Sequence, residues 1–357
     1  MKIFPKSSIS LVPRAPHWIQ NRQSYYTMER NERVDEFDKK TLLNILKKIS
    51  SYDLRTYPDE MENYYKLMSK WLKVKKEEII MTNGADGGLL TIFNVFADVG
   101  DEIIYLNPSY AMYPLYCKMF KSKPKPLNVD LNFTNKTYFQ KLIQHIKKNK
   151  PRIVAVANPN QPIETFLTED QIKKIAILTM KKNCYLVVDE AYFHFNNISA
   201  IKLIKRYKNI IVVRTFSKAF GLAGLRVGYV VSNKDVIDLL KSIKPIYELN
   251  NVNLKICEYF LKNLKIMKDY VNEVNKSKKY IYKNLNKKKI NIFGKLSNTF
   301  LIKFSNENET KKIFDKLLKK KILVRVMNIS GKKNYIRCTL GSLRTTKILT
   351  EVINRNL

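Results

Sequence analysis

The stretch Val212–Val231, "VVRTFSKAFGLAGLRVGYVV", places one lysine, Lys218, directly after a β-branched run. Gly221, Gly224, Arg226 and Gly228 are then spaced along a turn. A short apolar run that ends in polar and glycine-rich residues reads as a buried strand delivering a loop. Working outward from it, "EEIIMTNG" (77–84), "DEIIYLNPS" (101–109), "RIVAVANPN" (152–160), "CYLVVDEAY" (184–192) and "NIIVVRTFS" (209–217) repeat that form. Between them "DGGLLTIFNVFADVG" (86–100), "YPLYCKMFKS" (113–122) and "TEDQIKKIAILTMKKN" (168–183) carry helical spacing. The last of these opens with a Thr-Glu-Asp capping signature. Strands alternating with helices predict an α/β fold, a mainly parallel sheet covered on both faces, with ligands bound at the strands' C-terminal ends.

From about residue 245 the chain becomes lysine-rich amphipathic helix, followed by "TFLIKF" (299–304) and "YIRCTL" (335–340) as strands around a further helix. This predicts a smaller α+β domain. The division read from the sequence is an N-terminal arm over 1–40, a large domain over 41–243 and a small domain over 244–357. There is no internal repeat or low-complexity linker.

Composition narrows the class. With 357 residues, 45% of them hydrophobic, and 21 tyrosines, the chain is globular. Lys and Arg number 66 against 31 Asp and Glu, a net charge of +35. That raises an anionic partner such as nucleic acid, but the charge is spread along the whole chain. Its dense runs, "NLNKKKIN" and "DKLLKKKILV", alternate with apolar positions as solvated helix faces do. Cys117, Cys184, Cys257 and Cys338 lie far apart, so neither zinc nor disulfides are expected, and a reducing cytoplasm fits. His17, His145 and His194 are too scattered to suggest a metal. No run reaches membrane-spanning length, and the N-terminus lacks the apolar core of a signal peptide.

The loops after the strands hold the chemistry. "TNGADGGLL" leaves backbone N–H groups of Ala85, Asp86 and Gly87 at a helix start, a phosphate cup or a plain cap. "NPSYAMY" offers Tyr110 and Tyr113, either of which can stack on a planar ring or simply pack. "VVDEAYFHF" ends an apolar strand in Asp189, with Tyr192 three residues on; a carboxylate there needs a cation or several donors. Lys218 can form a Schiff base with an aldehyde cofactor if its amine is desolvated or crowded by positive charge, which Arg226 supplies. A pyridine-facing aspartate, a phosphate cup, a stacking aromatic and a lysine are the parts that pyridoxal 5′-phosphate requires.

In these blocks, from about Leu11 to Ser342, the sequence resembles the fold-type I pyridoxal-phosphate enzymes, and among them the histidinol-phosphate aminotransferase group. "RTYPD", "TNGADGG", "NPSYAMY", "NPNQP", "DEAYFHF", "TFSKAFGLAGLRVGY" and "YIRCTLGS" occur in that group's order. The resemblance implies an aspartate aminotransferase-like large domain with a seven-stranded sheet. It makes Lys218 the Schiff-base lysine and proton shuttle, Asp189 the partner of the pyridine nitrogen, Tyr192 the partner of the ring's phenolic oxygen and Tyr110 the stacking ring. Ala85, Asp86, Thr215, Ser217 and Arg226 would grip the phosphate, joined by Tyr57 from a neighbouring subunit, so a homodimer with shared sites is implied. Arg337 would bind a substrate α-carboxylate and Arg325 a substrate phosphate.

Two departures stand out. Where the family reads NPNNPTG this chain reads "NPNQPIE", so the amide expected on the phenolic oxygen is Gln161, with Asn160 able to substitute. The N-terminal segment "YYTMERNERVDEF" keeps Asn31 and Glu32 but continues with Arg33 and Val34. The resemblance therefore implies an aminotransferase that uses glutamate and a small phosphate-bearing partner, such as histidinol phosphate's keto form or dihydroxyacetone phosphate. The alternative is a decarboxylase of a phosphorylated amino acid. A nucleic-acid-binding regulator on the same fold is disfavoured, since no helix-turn-helix segment precedes the blocks. No nucleic acid, membrane or metal partner is expected.

Overall fold

Strand alternation of Val, Ile and Leu builds the central sheet. The structure, a computed structural model, describes residues 21–58, 61–285 and 290–357. Leu11, His17, Asp59 of "RTYPD" and the lysines at 287–289 lie outside those residues. Seven strands form one sheet: β1 (Ile79–Asn83), β2 (Glu102–Asn107), β3 (Lys123–Asn128), β4 (Pro151–Ala157), β5 (Tyr185–Asp189), β6 (Ile210–Thr215) and β7 (Val227–Val231). Their order is β1-β7-β6-β5-β4-β2-β3, parallel throughout except that β7 runs against both of its neighbours. Successive residues feed opposite faces. Met81, Leu106, Val156, Val188 and Val212 join one core, whereas Ile80, Tyr105, Ala155, Val187 and Val213 join another. Helices cover both, which is why these strands read as continuous apolar runs.

β3 is not evident in the sequence, because "KPKPLN" carries two prolines. It survives as an edge strand. Residues beside the prolines pair inward, with Lys123 N–H donating to Asp101 O at 2.7 Å and Val129 N–H to Asn107 O at 2.8 Å. Pro124 and Pro126 fall at the alternate positions, where an N–H would face away from β2.

A second sheet is antiparallel: β8 (Asn291–Phe293), β9 (Thr299–Lys303), β10 (Arg325–Ile329) and β11 (Lys332–Thr339), in the order β10-β11-β9-β8. The N-terminal segment joins it: Tyr26 and Thr27 form a separate two-stranded parallel sheet with Ile322 and Leu323, and Thr339 N–H of β11 donates to Met28 O at 2.8 Å. The four cysteines are buried and unpaired, and among the described residues no helix is long and apolar enough to cross a membrane.

Candidate active site

Because β1, β2, β4, β5 and β6 run the same way, the loops after them meet at one end of the sheet. The loop after β1 becomes the helix Gly84–Phe96 without a side-chain cap, leaving its first N–H groups open to a ligand. Gly84 has φ +67°, and a Cβ there would stand 2.7 Å from Arg226 Nη2. A Cβ on Gly228 would stand 2.4 Å from the Gly84 carbonyl carbon. The two glycines thus let β7, the helix start and the Arg226 guanidinium close into a cradle. Ser217 Oγ receives Thr215 Oγ1–H at 2.9 Å, and Arg226 Nη1 reaches Ser217 Oγ at 3.5 Å. The Asp86 carboxylate faces Arg226 Nη2 at 3.1 Å and also accepts from the Tyr110 hydroxyl. Ala85 packs at the edge of the second core. Ala85, Asp86, Tyr110, Thr215, Ser217 and Arg226 are therefore brought together.

Below them lies Asp189, the last residue of β5, 7% exposed. Burial pushes its carboxyl up to about 6, against the opposing pull of the Ala191 N–H, with the Asp86 charge adding to the rise. Its donors are Ala191 N–H at 3.0 Å and Tyr113 O–H at 3.3 Å. Tyr113 is fully buried and serves Asp189, whereas Tyr110 is half-buried and gives its hydroxyl to Asp86. Lys218 Nζ is 5.9 Å from the Tyr192 ring centre, and its charge favours ionised Asp189. Lysine, aspartate and tyrosine converge from two adjacent loops.

The rim comes from the second sheet and the N-terminal segment. Arg325 and Arg337 are cross-strand partners, so both project from one face. Arg337 Nη2 donates to Glu29 O at 3.0 Å, while its buried Nε has no partner among the described residues. Burial lowers the Arg337 pKa, and neighbouring Arg325 acts in the same direction, with Tyr192 opposing. Asn31, at φ +59°, donates from Nδ2 to Tyr192 Oη at 2.6 Å. Its N–H donates to Thr339 Oγ1 at 2.9 Å. That link was not evident in the sequence, because no local pattern connects residues 161 positions apart.

Three further site candidates have their partners outside this cluster. Gln161, expected on the ring's phenolic oxygen, has both ends of its amide engaged by Ser297 and Thr299. Nε2 donates to Ser297 Oγ at 2.9 Å and Glu164 Oε1 at 3.3 Å, and Oε1 accepts from Thr299 Oγ1 at 2.8 Å. Asn160, fully buried, uses its Nδ2 on the carbonyls of Pro108 at 2.9 Å and Ile163 at 3.0 Å, which joins two loops beside the site. Tyr57 projects outward, 71% exposed, with its ring stacked on Tyr247 at 4.4 Å.

A glycine-lined anion cradle beside a buried carboxylate and a lysine fits pyridoxal 5′-phosphate, whose phosphate and pyridine nitrogen need those two environments. The fold is that of the fold-type I pyridoxal-phosphate enzymes. The chain belongs to the class I and II aminotransferases, whose family model matches residues 28–355. It is 32% identical over 327 residues to the histidinol-phosphate aminotransferase of Caldanaerobacter subterraneus subsp. tengcongensis, covering 91% of each chain. The solved histidinol-phosphate aminotransferase of Sinorhizobium meliloti, in complex with pyridoxal 5′-phosphate, superposes with TM-score 0.81 at 19% identity, over 93% of this chain and 92% of that one. The L-threonine-O-3-phosphate decarboxylase of Porphyromonas gingivalis superposes with TM-score 0.73 at 19% identity, over 92% and 98%. The protein is a pyridoxal-phosphate-dependent aminotransferase with small-molecule substrates.

Proposed function

We propose that the protein moves an amino group between glutamate and a small phosphate-bearing carbonyl compound, in the manner of the histidinol-phosphate aminotransferases. The observation that carries this reading is the cross-strand pair of Arg325 and Arg337 on one face of the second sheet. A carboxylate engages one guanidinium by a two-point fork, and a second cation beside it is suited to a further anionic group. Pyridoxal 5′-phosphate, when bound, supplies an electron-withdrawing ring that stabilises negative charge at the substrate's α-carbon.

The chain's own residues supply the rest. The Ala85 and Asp86 N–H groups with Thr215, Ser217 and Arg226 would hold the cofactor phosphate, and Arg226, paired with the Asp86 carboxylate at 3.1 Å, would turn to it. Asp189 would hold a proton on the pyridine nitrogen, Tyr110 would cover the ring, and Tyr192, whose hydroxyl accepts from Asn31 Nδ2, would hold the phenolic oxygen. Lys218 Nζ would hold the cofactor at its aldehyde carbon and would move the proton at the substrate's α-carbon. The site is completed by a second copy of the chain: Leu54, Tyr57, Ile246 and Tyr247 are 75%, 71%, 86% and 54% exposed. Asn251 Nδ2 ties the two segments by donating to Thr56 O at 3.1 Å. So large an apolar surface is suited to self-association, which brings Tyr57 to the partner's phosphate cup.

Half-reaction kinetics of Arg325→Ala test the substrate class. The glutamate half-reaction stays near wild type, while histidinol phosphate, or another phosphorylated amine or ketone, loses about 2 kcal/mol of binding, more than about tenfold. Equal loss in both halves, or none, removes the phosphate-bearing partner. Carbon dioxide release from phosphothreonine would replace transamination with decarboxylation.

A further inference from the structure

The loop after β4 and the turn between β8 and β9 meet through a closed set of hydrogen bonds. Gln161 Nε2 donates to Ser297 Oγ, and Thr299 Oγ1 donates its only proton to Gln161 Oε1. The 3.1 Å contact between the two hydroxyls must then run from Ser297 Oγ–H to Thr299 Oγ1. Donors and acceptors form one ring, and Ser297 and Thr299 are both fully buried. Next to it Glu164 accepts the Lys295 N–H, and Lys278 Nζ donates to Lys295 O at 2.9 Å. Burial brings the Lys278 amine down to about 8, with Glu164 pulling it back up. Alternate residues 295, 297 and 299 are thus gripped from the large sheet's side.

The grip continues toward the pocket. Thr299 is the register partner of Thr339, whose Oγ1 accepts the Asn31 N–H. Asn31 in turn donates to Tyr192, and Asn298 Nδ2 donates to Asn31 O at 3.3 Å. Arg337 sits two residues before Thr339 on the same strand.

We propose that Gln161 is a positioning residue: it joins the loop after β4 to β9 and thereby holds Arg337 and Asn31 over the Lys218 pocket, without touching the cofactor ring. The proposal rests on the reading of Arg337 as the carboxylate site. Reach is the physical requirement. Asparagine, shorter by one carbon–carbon bond of about 1.5 Å, does not span to Ser297 and Thr299 together, and a broken ring leaves buried hydroxyls unpaired.

The test uses the holoenzyme of Gln161→Asn, Gln161→Ala, Thr299→Val and the Gln161→Ala/Thr299→Val double variant, with Ser297→Ala as the milder substitute if the valine variant does not fold. Each single variant is expected to raise the KM for glutamate roughly tenfold with kcat nearly unchanged, and the double variant to add nothing further. The visible absorption band and the midpoint of its pH titration stay those of wild type. If Gln161→Ala moves that midpoint or speeds cofactor loss while Thr299→Val does not, or if Gln161→Asn behaves as wild type, Gln161 is a ring contact and the proposal falls. A lower Tm with unchanged KM makes the contact structural only, and also overturns it. Should wild type not react with glutamate, the reading of the substrate fails on its own. The Gln161 proposal is then decided by the absorption band: a midpoint moved in Gln161→Ala but not in Thr299→Val overturns it, and a wild-type midpoint in every variant supports it.

Discussion

Asp189 is the residue whose environment says most. A carboxyl whose pKa rises on folding from 3.8 to about 6 is protonated more readily in the folded chain than in the unfolded one. Its folding contribution is therefore complete below about pH 4 and lost as pH rises through about 6, a difference of about 3 kcal/mol. In the cofactor-free protein, Asp189→Asn removes this loss, so the variant's melting temperature gains on wild type between pH 4 and pH 7. Melts across that range check the sign. With cofactor the order reverses: a protonated pyridine nitrogen makes the ionised aspartate favourable, so pyridoxal 5′-phosphate stabilises wild type at pH 7 more than Asp189→Asn. Turnover of the variant falls by orders of magnitude, because an unprotonated ring is a poor electron sink. Lys218 has its own assay. Borohydride treatment of the holoenzyme links the cofactor to the peptide bearing Lys218, read by mass spectrometry, and a label on any other lysine refutes the assignment.

At the scale of elements, the phosphate cradle depends on how closely β7 approaches the helix that starts at Gly84. The atoms that a Cβ on Gly228 would meet are backbone: the Gly84 carbonyl carbon at 2.4 Å and Ala85 N at 2.6 Å. Neither can swing aside as a flexible side chain would. Gly228→Ala therefore pushes the helix start off β7, costing about 3 kcal/mol in stability as overpacking does and raising the cofactor Kd more than the loss of one phosphate contact would. Thermal melts and equilibrium dialysis measure the two effects. By contrast, the loop after β4 was legible only in part. "NPNQP" announced a functional turn, but its side chains face neighbours in other loops and, for Gln161, in the second sheet. Asn158 receives the Leu167 N–H at 2.7 Å, Asn160 binds the neighbouring loop, and Gln161 crosses to Ser297. An irregular loop has no periodicity from which those directions follow.

For the whole molecule, the exposed apolar surface around Leu54 and Ile246 carries the expectation of a dimer. We expect wild type to sediment at twice 42.0 kDa and Leu54→Glu/Ile246→Glu as a folded monomer that loses pyridoxal 5′-phosphate on gel filtration. Tyr57→Phe keeps the dimer mass but weakens cofactor retention, since it removes only the hydroxyl offered to the partner's cup. The division into an arm, a large half over 41–243 and a small half over 244–357 is a proposal of the same kind. The N-terminal segment joins the second sheet at Met28, and Gln161, Glu164 and Asn31 form contacts on which motion between the halves would act.

By itself the sequence determined what adjacency in the chain determines. Apolar runs ending in chemistry predicted the parallel sheet and its binding end, and Thr215, Ser217, Lys218 and Arg226 fall within one turn. Asp189 and Tyr192 are likewise three residues apart at one strand end, so their convergence needed only the strand direction. The tertiary structure alone decided the pairings between distant segments: Tyr113 with Asp189, Asp86 with Arg226, Asn31 with Tyr192 and Gln161 with Thr299. Each joins residues whose separation in sequence says nothing of their distance in space. Which hydroxyl or carboxylate satisfies a buried polar group depends on which surfaces burial has pressed together, the loops of one sheet for Tyr113 and Asp86 and separate segments for Asn31 and Gln161, rather than on either partner's neighbours in the chain.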